Sequence, residues 1–252
     1  VAEGGSVRIA VVCEDRADSK TATMLADRQL VETSDWLTPD LLEHVRRYIG
    51  ADDARPFIKW IDVSRLAAEA PAGGLRTRIM GRFGGEPGAP DAASARKILL
   101  WLHARESLPE AVILVRDLDQ EPRRLTGLRQ ARDTTPWSFQ VVIAAADPKR
   151  EAWVLAGFDP AEKGEEQRLS ELRQELGFDP CTDAHRLTAA DELAKRSAKR
   201  VLAALVAEDA EREARCLEGA PLAMLRQRGQ QSGLSDYLEE VRERLSPLLD
   251  GK

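Results

Sequence analysis

The chain has 252 residues, 43% of them hydrophobic and 32% charged, with a formal net charge of -6. That length can bury a substantial core, and the composition is that of a soluble globular protein. The negative balance excludes nucleic-acid binding driven by overall charge while leaving room for a local basic surface. No run approaches eighteen consecutive apolar residues, so neither a membrane span nor a secretory segment is expected, and the expected location is the cytoplasm.

Three cysteines, Cys13, Cys181 and Cys216, stand far apart without CxxC spacing and read as reduced thiols. Three histidines, His44, His103 and His185, show neither HxH nor HExxH spacing, which removes support for zinc-hydrolase chemistry.

In chain order, Val7 to Cys13 (VRIAVVC) reads as a strand that runs into Glu14-Asp15-Arg16-Ala17-Asp18. A helix follows over Thr21 to Val31, the opening of an α/β unit. Asp18 is expected at that helix's N-terminus, a position where carboxylates cap. Glu14, directly after an apolar strand, has to be solvated, paired or bound. Thr38 to Ile49 (TPDLLEHVRRYI) has a Thr-Pro start, a Leu41/Leu42/Val45/Ile49 stripe and Gly50 as stop, which predicts a helix. Phe57 to Val63 is expected as a second strand. Residues 68–90 are rich in Gly, Pro and Ala and carry Arg76, Arg78 and Arg82. Such a loop is either a solvated insertion or a basic grip for a phosphate backbone.

Asp91 to Arg105 predicts a helix that crosses over to Ala111-Val112-Ile113-Leu114-Val115, a short β-branched run with no polar alternation. That is how a strand buried on both faces of a parallel sheet reads. The run ends in Arg116-Asp117-Leu118-Asp119. In an extended chain residues i and i+2 face the same side, so Asp117 and Asp119 are expected to act on one point. The plain alternative is that one caps a helix and the other is solvated. Pro122 to Arg132 predicts a short helix with Arg123, Arg124, Arg129 and Arg132, either a solvated face or a phosphate clamp. Trp137 to Ala146 is the next strand, and Glu151 follows in the first turn of a helix, where it suits the helix dipole.

The remainder reads as helix: one from Asp159-Pro160 to Gly177, one from a Thr188/Asp191 capping box to about Glu208, and a last one from Leu234 to Leu249. The chain is thus expected as an α/β domain over residues 1–158 with a helical C-terminal region, 159–252, packed on it. The expected sheet is mostly parallel and Rossmann-like, flanked by helices.

Glu14 after one strand and Asp117 with Asp119 after another supply three carboxylates. Oxygen donors without His or Cys suit Mg²⁺ or Mn²⁺ and phosphodiester chemistry. A DxD also holds nucleotide-sugars in glycosyltransferases, a reading that leaves Glu14 without a role.

Val11-Val12-Cys13-Glu14 with Asp18, and Val112 to Asp119, resemble the two acidic motifs of the TOPRIM domain, the metal-binding α/β module of topoisomerases, primases and several nucleases. Asp15 departs from the Gly that usually follows the Glu. Ala17-Asp18-Ser19-Lys20, Glu151-Ala152-Trp153-Val154-Leu155 and Leu225-Arg226-Gln227-Arg228-Gly229 extend the likeness to small stand-alone bacterial TOPRIM-like proteins. Many of those are found in phage-defence settings, some beside an ATPase. The resemblance implies a nuclease for DNA or RNA in which Glu14 is base or metal ligand and Asp117 and Asp119 are metal ligands. It implies Glu151 as an accessory or orienting residue, and Lys20, Arg76, Arg78, Arg123 and Arg124 as phosphate-binding. It also implies an alternative, a non-catalytic or partner-activated subunit of an ATPase-containing complex. Oligomeric state is left open.

Overall fold

Seven residues, Val7–Cys13, form β1; all but Arg8 are buried, as expected of an apolar run at the centre of a sheet. The computed structural model to which β1 belongs describes residues 6–52, 54–69 and 81–250. Two compact units divide the chain: Val1–Arg116 with Glu121–Ala144 and Glu239–Lys252, and Asp117–Gln120 with Ala145–Leu238.

In the first unit, β1 is followed by α1 (Arg16–Thr33), whose buried face includes Ala22, Leu25, Ala26, Gln29 and Leu30. A 3-10 turn (Pro39–Leu41) and a single turn of helix, α2 (Leu42–Val45), lead into β2 (Arg46–Ile49). The expected helix over Thr38–Ile49 is therefore only half formed. Its second half pairs in parallel with β1, Val7 opposite Arg46 and Ala10 opposite Ile49. Its side chains are also fastened to α1. Arg46 donates twice to Asp27 at 2.7 Å, and the Tyr48 hydroxyl donates to the same carboxylate at 2.8 Å. Tertiary pairing overrides the helical stripe there.

The second expected strand shrinks likewise. β3 is Ile58–Lys59 alone, followed by a 3-10 turn (Trp60–Asp62) and α3 (Val63–Glu69). Within the expected irregular stretch, β4 (Arg82–Phe83) and β5 (Glu86–Pro87) form a small antiparallel ribbon. Arg76 and Arg78 lie outside the described residues. Next come α4 (Ala92–His103), β6 (Ala111–Asp117), α5 (Arg123–Asp133) and β7 (Gln140–Ala146). The sheet order is β2-β1-β6-β7, with β3 also on β1, and β1 pairs in parallel with β2, β3 and β6. The protein is thus α/β with a mostly parallel sheet flanked by helices.

The second unit is helical. α6 (Arg150–Ala156), α7 (Lys163–Leu176), α8 (Ala198–Val206), α9 (Ala210–Glu218) and α10 (Leu222–Arg228) precede α11 (Leu234–Arg244), within which the unit boundary falls. α12 (Ser246–Asp250) returns to the first unit. Trp153 and Tyr237, both fully buried, stack at 5.3 Å, and the Trp153 indole donates to the Ser232 carbonyl at 2.7 Å. That satisfies the one polar atom such a ring brings into a core.

The helix expected from Thr188 begins ten residues later. Thr188 instead pairs with Ser197 in an isolated antiparallel bridge, and the Asp191 side chain accepts from the Leu193 N–H in a turn. Ser197 is the cap that works, accepting from the Arg200 N–H at 3.3 Å. Asp and Thr side chains offer the backbone such local alternatives to a helix. The helix expected from Asp159-Pro160 likewise starts at Lys163.

Candidate functional site

β1 ends at Cys13, and Asp15 immediately takes over as the cap of α1. Its carboxylate accepts from the Ala17 and Asp18 N–H groups, while Asp18 reaches back to the Asp15 N–H. This is a reciprocal capping box with Asp in the place usually held by Glu. It gives Asp15 and Asp18 structural work and leaves Glu14 as the residue between strand and helix. Burial pushes the Cys13 thiol up to about 12, with the Asp18 and Asp15 charges adding to the shift, so it stays protonated and inert.

Glu14 has a specific partner within its own unit. Arg116, one residue before the DxD, donates from Nη1 to Glu14 Oε1 at 2.6 Å. The same guanidinium holds Asp91 two-handedly, Nε to Oδ2 at 2.9 Å and Nη2 to Oδ1 at 3.2 Å. Its carbon lies 5.6 Å from the centre of the Trp60 ring, and that indole donates to the Val115 carbonyl at 2.7 Å. The Arg116 side chain is only 16% exposed and Glu14 45%, so the arginine is held from below and the glutamate faces solvent. Arg124 approaches Asp91 from the other side at 3.8 Å.

Asp91 is built for this. It precedes α4 yet makes no side-chain cap bond, and its φ of +66° is left-handed. A non-glycine residue held there costs of order 1–3 kcal/mol, a strain that recurs at functional positions. Its carboxylate goes to two arginines instead of to the helix. α5 sits directly on this turn: a Cβ added at Gly127 would lie 1.8 Å from the Pro90 carbonyl oxygen and 2.8 Å from the Ala92 nitrogen. Both neighbours are backbone and cannot swing aside. Gly127→Ala is therefore expected to destabilise the protein by at least about 1–3 kcal/mol, the usual size of overpacking. Urea unfolding reads the loss as a lower midpoint at unchanged slope, and an unchanged midpoint would refute the tight seat.

In the second unit, the carboxylates of the DxD meet the start of α6. The strand stops at Asp117, whose Oδ1 accepts from the Arg150 N–H at 2.9 Å. The chain then turns, Leu118 N–H bonding to the Ala146 carbonyl and Asp119 N–H to the Pro148 carbonyl. Asp119 and Gln120 both have positive φ, +49° and +65°, so the extended geometry expected to align Asp117 with Asp119 ends at the first of them. They nevertheless address consecutive residues, since Lys149 Nζ lies 3.5 Å from Asp119 Oδ1. Glu151 sits in the first turn of α6, 3.6 Å from Arg150, which itself reaches Glu213 at 2.9 Å.

Lys20 is exposed on α1 and Arg123 on α5, while Arg132 is committed to Asp133 and Glu240 and is structural. Among the described residues, no group of three or more His, Cys, Asp or Glu is arranged to hold a metal ion. Sequence reasoning passed over Arg116, Asp91, Trp60 and Lys149. The available signal was Arg116 itself, a lone charge at the end of a buried apolar strand. No helix among the described residues is long and apolar enough to cross a membrane. Comparison with protein-family profiles, with curated proteins and with solved structures finds no match.

Proposed function

We propose that this chain is a divalent-metal-dependent phosphodiesterase of the TOPRIM type, acting on DNA or RNA in the cytoplasm, with a role in anti-phage defence. The observation that carries the reading is the position of its acidic motifs. Glu14 directly follows β1 and Asp117 ends β6, and these strands are hydrogen-bonded neighbours running in parallel. Open α/β sheets bind their ligands beyond the carboxyl ends of such strands. The donor chemistry fits a hard cation, since Glu14, Asp117 and Asp119 offer oxygen alone. Asp117 and Asp119 would contribute carboxylate oxygens to Mg²⁺ or Mn²⁺, which when bound supplies charge stabilisation to the phosphoryl oxygens.

The chain's own side chains account for the rest. Glu14 is the half-exposed carboxylate available to take a proton from water, and Arg116 fixes its orientation. Arg116 and Arg124, flanking Asp91, are the fixed guanidinium groups suited to phosphate oxygens. Glu151 orients Arg150.

A second reading, a TOPRIM-like subunit activated by an ATPase partner, is favoured by the Arg116–Glu14 pair, which already neutralises the exposed carboxylate. One experiment separates the two. Purified protein is incubated with labelled DNA and RNA over a Mg²⁺ and Mn²⁺ series, alongside Arg116→Gln. Cutting by the wild type that disappears with chelator supports the first reading. Cutting only by the variant supports the second, with Arg116 as a latch. No cutting by either with any metal overturns the phosphodiesterase proposal for the isolated chain.

A further inference from the structure

The second unit carries a basic surface that the acidic motifs do not explain. Residues 184–200 hold five Lys or Arg (Arg186, Lys195, Arg196, Lys199, Arg200) against two acidic residues, Asp191 and Glu192, in a chain whose net charge is -6. The Thr188–Ser197 bridge, reinforced by the Ala189 N–H on the Arg196 carbonyl at 3.1 Å, folds this segment back on itself. The fold brings Arg186 and Arg196 to one ring: their guanidinium carbons lie 4.2 and 5.8 Å from the centre of Phe178, which is 8% exposed.

Arg186, Lys195 and Arg196 are exposed and make no ion pair among the described residues. The neighbouring carboxylates have other partners: Asp179 binds Arg173 and the Cys181 N–H, and Asp183 takes the Thr182 hydroxyl. Asp191 closes its own turn onto the Leu193 N–H. Lys199 pairs with the exposed Glu192 at 2.7 Å and Arg200 with the half-buried Glu175 at 3.1 Å. Such surface pairs contribute about 0–1 kcal/mol and yield readily to a polyanion.

Unpaired charge on a solvated face is ordinary for one long flexible side chain. Two arginines resting on one buried aromatic ring, with a third cation beside them, are different. The ring limits their freedom, so less entropy is lost when they meet a ligand. Several exposed cations on one folded-back segment suit a repeating phosphate backbone, whose affinity grows with each phosphate neutralised, better than a single small anion.

We infer that Arg186, Lys195 and Arg196, seated over Phe178, form a docking surface for the sugar-phosphate backbone of a nucleic acid. The assignment rests on the nucleic-acid substrate proposed above and names where the second unit engages it.

The test measures binding of the full chain to a fluorescent 30-mer single-stranded DNA and to RNA of the same sequence, without metal, across a salt series. The triple variant Arg186→Ala/Lys195→Ala/Arg196→Ala is compared with a charge-matched control, Lys97→Ala/Lys163→Ala/Arg215→Ala. Loss of three phosphate contacts should lower the slope of log affinity against log salt by about 2, at about 0.7 per contact for single strands. At moderate salt that is an affinity loss of about 10- to 100-fold. Phe178→Leu, which keeps the charges, should give a smaller loss with the slope retained.

Equal losses in the patch and control variants would overturn the surface, as would unchanged binding in the patch variant. Tighter binding to polyglutamate than to either nucleic acid would replace the partner with an acidic protein. Hydrolysis of bis-p-nitrophenyl phosphate, a single diester with no repeating backbone to span several cations, keeps the two proposals apart. Metal-dependent hydrolysis with patch-independent binding sinks the surface alone, and patch-dependent binding without hydrolysis sinks the catalytic reading alone.

Discussion

Asp117→Asn is expected to abolish metal-dependent hydrolysis while leaving the protein folded. Asp117 Oδ1 accepts the Arg150 N–H at the start of α6 at 2.9 Å. An asparagine carbonyl can accept the same bond, so α6 keeps its anchor. What is lost is the negative charge, and with it the affinity for a cation that developing charge on phosphate requires. Removing one electrostatic stabiliser from an active site typically costs about 10²–10³-fold in rate. Asp117→Ala separates the two roles. It should lose activity to the same extent and, in addition, destabilise the protein by about 1–3 kcal/mol, because the helix N–H is left without its acceptor. Urea midpoints and initial rates on one substrate, measured for both variants, give the comparison. An asparagine variant with wild-type activity would reduce Asp117 to a helix anchor and remove it from the site.

The split between charge and anchor at Asp117 also marks how far the sequence could be read. β1, β6 and β7 were legible because each is a continuous apolar run, and such runs have few homes other than the middle of a parallel sheet. The acidic residues after β1 and β6 were legible for the same reason, since charge directly after a buried strand stands out. Their partners were not. Asp91 is about two dozen positions from Arg116 in sequence, and only the α4 turn under Gly127 brings the two together. Lys149 and Arg150 meet the DxD through the β7–α6 turn, a contact that spacing along the chain cannot reveal.

The errors have a common cause. Thr38-Pro39 and Thr188/Asp191 are sound start signals, and both were followed by helix-like spacing. In each case a longer-range or local pairing won: β2 against β1 in the first, and the Thr188–Ser197 bridge in the second. The first helix stops at Val45 and the second does not begin until Ala198. The segment before the second is the one that places Arg186 and Arg196 on Phe178. A surface that depends on a chain reversal is invisible to a reading that assigns the segment to a helix.

The second unit is held by a buried ion pair, and Glu165→Gln is expected to be the most destabilising single change considered. Glu165 and Arg212 meet two-handedly, at 2.6 and 3.0 Å, with side-chain exposures of 6% and 12%. The remaining capacity is filled: the Ala161 N–H donates to Glu165, Arg212 donates to the Asp159 carbonyl, and the guanidinium lies 4.7 Å from the centre of the Phe158 ring. Replacing such a pair by apolar residues can be neutral, but removing one partner strands the other charge and costs about 3–5 kcal/mol. Glutamine keeps the shape and some hydrogen bonding, so the loss reports the charge. The pH dependence gives an independent check. Hydrogen bonding from Arg212 holds the Glu165 carboxyl below its ordinary value of 4.5 in the folded protein, against a smaller opposing effect of burial. A carboxylate whose folded pKa is depressed contributes its full stability above the unfolded value and loses it as pH falls through the folded one. The gap between wild type and Glu165→Gln should therefore be widest at neutral pH and constant down to about pH 5. It should close progressively below pH 4.5, where the wild type takes up the proton that the variant cannot. A gap of the same size at pH 3 and pH 7 would mean that packing, and not the ion pair, sets the cost.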